Sequence, residues 1–408
     1  MAGNAVIGQS GGPTAVINQS AVGVVEGLQA AGFTGQILGA RHAVAGIKAD
    51  DFIDLGALPQ DRLDRLADTP SSGLGSSRDK PDADYCEQIL DHLKKRDVRY
   101  FFYIGGNDSS DTCRIVAEMA KDSGYELHAV HCPKTVDNDL MVNDHTPGYG
   151  SAAKFVAQAF MGDNLDNAAL PGIKVDVVMG RHAGFLTAAS MLGRREGTTD
   201  GPHLVYVPEV AFDFDQFCAD VEETYRRLGR CLIAVSEGIH DATGAPVASV
   251  LAEKAGQAIE KDAHGNVQLS GTGALGDALA TAVKNYFAQK SGASEKVRVR
   301  ADTFGYLQRS FVGCASPVDQ REARASSRAA ARAALDGAES GSIAIVRTST
   351  PGPGENYAVD YKLVPVIDIA AKTKHLPTSY VTGDNNITED FKHYALPLVG
   401  PLPVIETL

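Results

Sequence analysis

Three short runs of this chain carry residue types and spacings that suit chemistry. The first is GQSGGP, with Gly8, Gly11 and Gly12. Glycines let backbone N–H groups approach a phosphate oxygen, and a following helix start adds favourable partial charge. The same glycines equally suit a plain tight turn, and the run is neither a Walker loop nor a Rossmann fingerprint. The second is IGGNDSSDT (104–112), where Gly105 and Gly106 precede Asn107 and Asp108. Their side-chain oxygens suit a hard cation such as Mg²⁺. Taken alone, Asp108 or Ser109 is more simply a helix cap. The third is PKTVDND (133–139), with Lys134, Asp137 and Asp139 close together. Asp-Asn-Asp builds an Asx turn without chemistry. Two carboxylates beside a lysine also suit a general base, a metal contact and a charge clamp on a phosphoryl group.

Each run follows a short apolar segment that reads as a strand: Asn4–Gly8, Val98–Ile104 and Glu126–Cys132. After the first, Pro13 suits the opening turn of a helix, and Ile17, Ala21, Val24, Val25 and Leu28 recur at helical spacing. The rhythm continues. Lys174–Met179, Leu204–Val207, Cys231–Ser236 and Ser342–Arg347 read as strands. GRHAGFLTAASML, Gly276–Gln289 and Gln320–Leu335 read as helices, and 348–357 as a loop. Alternation of this kind predicts an α/β protein with parallel sheets, and two such sheets fit the length. Ligands of open parallel sheets bind outside the carboxyl ends of strands, which is where the three runs fall.

Composition bounds the rest. The chain has 408 residues, 44% hydrophobic and 22% charged, which is ordinary globular usage. At roughly 150 residues per domain, two to three domains are expected. Glycine numbers 42, above the average of about 7%. The net charge of −13, without any long Lys/Arg run, argues against nucleic acid as a partner. An anionic substrate would need its cations concentrated in one site, because the overall field repels it. MAGNAVIGQSGG does not read as a signal peptide, and no run reaches about 18 apolar residues, so no membrane association is expected. Six cysteines without a C-x-x-C pair read as reduced thiols of a cytoplasmic protein.

Taken together, the runs resemble the phosphofructokinase family, and within it the pyrophosphate-dependent branch. The resemblance spans roughly residues 4–330. It rests on GQSGGPTAVIN, SSGLGSSR (71–78), IGGNDS, PKTVDND, MGRHAG (179–184), PEV (208–210), SEGI (236–239) and GYLQR (305–309), in matching order and spacing. It implies two Rossmann-like αβα sandwich domains with mostly parallel sheets and the active site between them. Residues 1–148 plus about 308–365 would form the donor domain. Residues 149–307 plus about 366–408 would form the sugar-phosphate domain. The reaction implied is a reversible, Mg²⁺-dependent transfer from pyrophosphate to the 1-hydroxyl of fructose 6-phosphate, a glycolytic step, in a homodimer or homotetramer.

The resemblance also implies residue roles. Gly11, Gly12 and Gly106 would line the pyrophosphate, and Arg78 would reach a phosphoryl oxygen. Lys134 would bring a cation to the donor. Asp137 would take the proton of the sugar 1-hydroxyl, beside Thr135 and Asp139. Met179, Gly180, Arg181 and Glu237 would line the sugar pocket. Tyr306 and Arg309 would hold the 6-phosphate, with Arg300 helping from a neighbouring subunit. ATP users of the family carry glycine at the positions of Asp108 and Lys134; a carboxylate at 108 adds bulk and charge against a nucleotide. Asn107 and Asp108 would contact the metal. Two departures stand out. Asn107 occupies the family's usual metal-binding aspartate position, and Tyr306 stands where the ATP branch has histidine. Sedoheptulose 7-phosphate as acceptor, ATP as donor, or a catalytically weak sugar-phosphate-sensing subunit are the alternatives. His131, His145 and His182 are assigned no role, nor are residues beyond about 330.

Overall fold

The computed structural model describes residues 3–254, 273–291 and 297–407. Its strands, in chain order, are β1 (Asn4–Gln9), β2 (Ile37–Ala40), β3 (Phe52–Asp54), β4 (Val98–Gly105), β5 (His128–Pro133), β6 (Ile173–Val178), β7 (Leu204–Tyr206), β8 (Cys231–Ser236), β9 (Val299–Thr303), β10 (Ser340–Arg347) and β11 (Val359–Val364), then a short pair, β12 (Val381–Thr382) and β13 (Asn386–Ile387). The chain divides into two compact units, Met1–Ala152 with Arg309–Lys374, and Ala153–Gln308 with His375–Leu408.

The first unit is built on a seven-stranded sheet of order β11-β10-β5-β4-β1-β2-β3. From β10 to β2 every pairing is parallel, and the edge strands β11 and β3 run antiparallel. Its central strands alternate between two cores with period two. Ile7, Phe102, Ile104 and Val130 face one core, with the helices Ile17–Ala30 and Pro317–Leu335. Val6, Phe101, Tyr103 and Ala129 face the other, with Ala83–Lys95 and Asn107–Asp122. Both faces being covered explains why these strands read as continuous apolar runs. The helix Ile17–Ala30 lies against Pro317–Leu335 at near backbone contact: a Cβ on Gly23 would fall 2.3 Å from the Arg324 carbonyl oxygen. Ser316 caps the later helix through the amides of Val318 and Asp319, and Pro317 sits in its first turn.

The second unit holds a four-stranded parallel sheet of order β7-β8-β6-β9. Ile173, Val175, Val177, Ile233 and Val235 supply its core, with Phe217 and Val221 from the helix Phe214–Leu228. That helix is capped by Asp213 and closed by Gly229 in the left-handed conformation, the expected start and stop chemistry. No helix among the described residues is long and apolar enough to cross a membrane.

Two sequence expectations need correction. Pro13 does not open a helix; helix begins only at Ile17. Gly11 (φ +75°) turns the chain and donates its N–H to the Ser77 carbonyl, so residues 11–14 run as a loop. GRHAGFLTAASML is not one helix either. Gly180 has φ +139°, and helical structure covers only Phe185–Ala188 and a 3₁₀ turn at Ala189–Gly193. The first unit also runs on to Lys374, because residues 372–374 stay bonded within it.

Candidate active site

In the first unit the three loops are brought side by side by sheet order. β5, β4 and β1 are parallel neighbours, so the runs after them emerge at one carboxyl edge. Strands added after β1 go outward to one side, and β4 lies on the other. The crevice of a doubly wound sheet opens at this kind of reversal. Hydrogen bonds stitch the loops together. Ser10 N–H donates to the Ile104 carbonyl, Ser109 Oγ to Ser10 Oγ, and Lys134 N–H to the Gly105 carbonyl. A fourth loop joins them: Ser76 Oγ donates to the Gly11 carbonyl at 2.6 Å. This brings SSGLGSSR against GQSGGP.

Lys134 is the centre of this group. It is 4% exposed, and its ammonium donates to the Gly12 carbonyl at 2.7 Å. Burial pushes its pKa down to about 8, with the charges of Arg309 and Arg78 adding to the drop and Asp137 and Asp139 opposing it. These five charged groups therefore act on one another. Arg309 also lies against the glycine loop: a Cβ on Gly12 would fall 3.1 Å from its guanidinium carbon. Arg309, which the family resemblance gives to the sugar 6-phosphate, thus lies beside Gly12, which the same resemblance gives to pyrophosphate. Arg78 is exposed, and Asp137 and Asp139 are half-buried.

The PKTVDND loop is fastened from two sides. Thr135 Oγ1 accepts from the Asp137 amide at 3.1 Å. Behind it, Lys374 donates its main-chain N–H to the Asp139 carbonyl at 2.7 Å. The Lys374 ammonium donates to Asn138 Oδ1 (3.2 Å) and to the carbonyls of Asn143 (3.0 Å) and Asp144 (2.8 Å). Asn138 is fully buried with φ +59°, a left-handed conformation that asparagine tolerates better than most residues. Next to it, His145 is buried between Asp144 (2.8 Å) and Glu322 (2.5 Å). Burial alone would lower its pKa; the two carboxylates override that and raise it to about 9. His131 is the opposite case, its pKa pushed down to about 4 by burial between Ser342 Oγ and the Gly105 carbonyl.

At the IGGNDS loop, Gly106 is the N-cap and Asn107 the first residue of the helix Asn107–Asp122. The Asn107 Oδ1 is buried and has no hydrogen-bond partner among the described residues. A buried amide oxygen left open in this way fits a hard cation. Asp108 instead points outward and pairs with Lys80 at 2.9 Å. The sequence reading passed over Lys80 and Lys374. Lys80 was detectable, because it lies two residues after Arg78 in a loop already singled out. Lys374 had no local signal.

In the second unit the sugar-pocket candidates gather at the carboxyl ends of β6 and β8. The Glu237 amide donates to the Val178 carbonyl, and Ser236 Oγ donates to the Gly180 carbonyl at 2.5 Å. Gly180 N–H reaches Glu237 Oε1 at 3.5 Å. A Cβ on Gly238 would fall 2.0 Å from the Arg181 carbonyl oxygen, so only glycine permits this approach. Glu209 of PEV accepts from the Gly184 and Leu376 amides at 2.9 and 2.7 Å. Burial raises its pKa and these amides oppose the rise. The His182 carbonyl accepts from His375 Nδ1 at 2.7 Å. Tyr306 is 46% exposed. Arg300 does not join the group. It pairs in register with Lys174 at the far end of β6, about 16 Å of strand from Met179.

Known proteins give the same picture. A Rhodospirillum rubrum protein named pyrophosphate–fructose 6-phosphate 1-phosphotransferase is 55% identical over 98% of this chain and 94% of its own length. One of the same name from Halomonas elongata is 37% identical over 97% of this chain and 91% of its own. The crystal structure of a pyrophosphate-dependent phosphofructokinase from Marinobacter aquaeolei superposes with a TM-score of 0.83 at 29% identity, covering 99% of this chain and 94% of that one. Residues 4–334 match the phosphofructokinase family, and with the glycine, lysine and carboxylate loops meeting at one sheet edge, the chain belongs to it.

Proposed function

We propose that this protein transfers a phosphoryl group reversibly from pyrophosphate to the 1-hydroxyl of fructose 6-phosphate, giving fructose 1,6-bisphosphate and phosphate. The observation that carries this is Lys134. A buried ammonium on the Gly12 carbonyl, acted on by Asp137, Asp139, Arg78 and Arg309, is a built site for an anion beside a base.

Pyrophosphate lies over Gly11, Gly12 and Gly106, held by backbone N–H groups, Lys134 and Arg78. Arg309, at Gly12, adds a further cation. The sugar binds Met179, Gly180, Arg181 and Glu237, with Tyr306 on its 6-phosphate. As O1 of the sugar bonds to the transferred phosphorus and the bridging P–O bond breaks, the O1 proton passes to the Asp137 carboxylate. Lys134 and the arginines stabilise the charge that builds on the phosphoryl oxygens and on the departing phosphate. Mg²⁺ would be held by Asn107 Oδ1 together with phosphate oxygens and water, and would supply further charge neutralisation. The Asp108 side chain at the helix start, held by Lys80, disfavours a nucleotide by its bulk.

Arg300, remote from its own unit's sugar residues, serves a neighbouring copy in a homodimer or homotetramer. The protein works in the cytoplasm as a glycolytic enzyme. The test is an assay of the purified protein with fructose 6-phosphate and Mg²⁺, pyrophosphate and ATP being offered separately. Turnover with pyrophosphate alone is expected. Turnover with ATP alone would overturn the donor assignment, and silence with both would overturn the acceptor.

A further inference from the structure

We infer that Lys374 is a positioning residue for the reaction: it clamps Asn138 and Asp139 and so fixes the backbone from which Asp137 presents its carboxylate. The inference rests on the proposed role of Asp137. Three observations support it. First, Lys374 acts on this loop twice, through its main-chain N–H on the Asp139 carbonyl and its ammonium on Asn138 Oδ1. Second, the ammonium also binds the carbonyls of Asn143 and Asp144. All three of its protons are thus accounted for by one stretch, 138–144. Third, Asn138 stands between the two carboxylates with φ +59°. Asparagine enters that region more readily than most residues, but the turn keeps this shape only where surrounding contacts hold it. Lys374 supplies one of the contacts that hold it there. Without it the turn at Asn138 loses an anchor, and a displacement of about 1 Å at the base is enough to cost some 10²-fold in rate.

A solely structural lysine would change stability and nothing else. The experiment therefore reads local order and catalysis separately. Hydrogen exchange of the 134–145 segment is compared in wild type, Lys374→Met and Asn138→Gly, alongside kcat and both KM values. Expected for Lys374→Met is faster exchange confined to 134–145, a kcat lower by about 30-fold, and KM values within about threefold. Lys374→Cys alkylated with 2-bromoethylamine, which rebuilds an ammonium of similar reach, should recover most of the kcat, with wild type treated in parallel. Unchanged exchange, or altered exchange with unchanged kcat, overturns the inference. If Lys374→Met does not fold, Asn138→Gly decides: it permits the same φ but removes the acceptor, and a kcat equal to wild type overturns the clamp. Wild type silent with pyrophosphate would sink the proposed function, while the exchange result would still show whether Lys374 holds the loop.

Discussion

The proposed donor end of the first unit and the proposed sugar end of the second are built on the same plan, loops at the carboxyl edge of parallel strands, from different materials. The first is fixed by buried charge. Lys134 and His145 are removed from water, Lys374 is half-buried, and each is held by carbonyls or carboxylates. The second is fixed largely by backbone fit. Gly180 and Gly238 let chain segments touch, and Glu209 ties the Gly184 and Leu376 amides together. Preorganised charge is what phosphoryl transfer needs, because the transition state gains charge on oxygen. A sugar pocket needs shape and a few polar contacts, which glycine-permitted approaches supply at little electrostatic cost.

If that contrast is right, substitutions at the two ends should differ in kind. The largest effect is expected at Asp137. Asp137→Ala should lower kcat by at least about 10² with both KM values nearly kept; steady-state kinetics with turnover close to normal would remove it from the base role. Next comes the pH dependence of pyrophosphate use. The Lys134 pKa lies at about 8, below the ordinary lysine value, so its charge is present below that pH and lost above it. The kcat/KM for pyrophosphate should fall by up to about tenfold per pH unit above 8, and Lys134→Arg should remove this fall, since arginine stays charged, in a Lys374→Met background that silences the other lysine whose pKa burial lowers to about 8. A profile for Lys134→Arg that still falls above 8 would assign the titration elsewhere. The smallest effect is expected in the second unit. Gly238→Ala forces the Arg181 backbone aside and should raise the KM for fructose 6-phosphate about fivefold while that for pyrophosphate holds. A change in the pyrophosphate KM instead would blur the division of labour.

Much of the donor end was legible because each loop is a compact run following an apolar strand. Gly11, Gly12, Asn107, Asp108, Lys134 and Asp137 announce themselves by local spacing. What the spacing could not give was which loops are neighbours. That follows from the strand order β5-β4-β1, which is a property of the sheet. Lys374 was invisible for the same reason: a lysine in KTKHLP carries no local mark, and its meaning lies in carbonyls more than 200 residues earlier. The errors have local causes. Ala, Leu and Met after GRHAG suggest a long helix, but Gly180 and Gly184 are used for close packing, so the helix waits until Phe185. Pro13 suits a helix start, but it falls in the loop that Gly11 turns, and the helix begins only at Ile17. The nearness of Arg309 to Gly12, almost 300 residues earlier, is likewise a property of the fold and not of local spacing.

The order of strands also bears on how the chain is made. β5 is an edge until β10, which pairs with it in parallel, has been synthesised. The helix Pro317–Leu335, which covers Ile17–Ala30, arrives equally late. The second unit has all four strands of its sheet by Thr303. On the ribosome, then, the earlier-translated unit completes its sheet after the later one, and its Ala129–Val130 edge stays open while the second unit's sheet strands are made. Long-range parallel pairing of this kind is slow and leaves apolar strand edges exposed to aggregation while the chain grows.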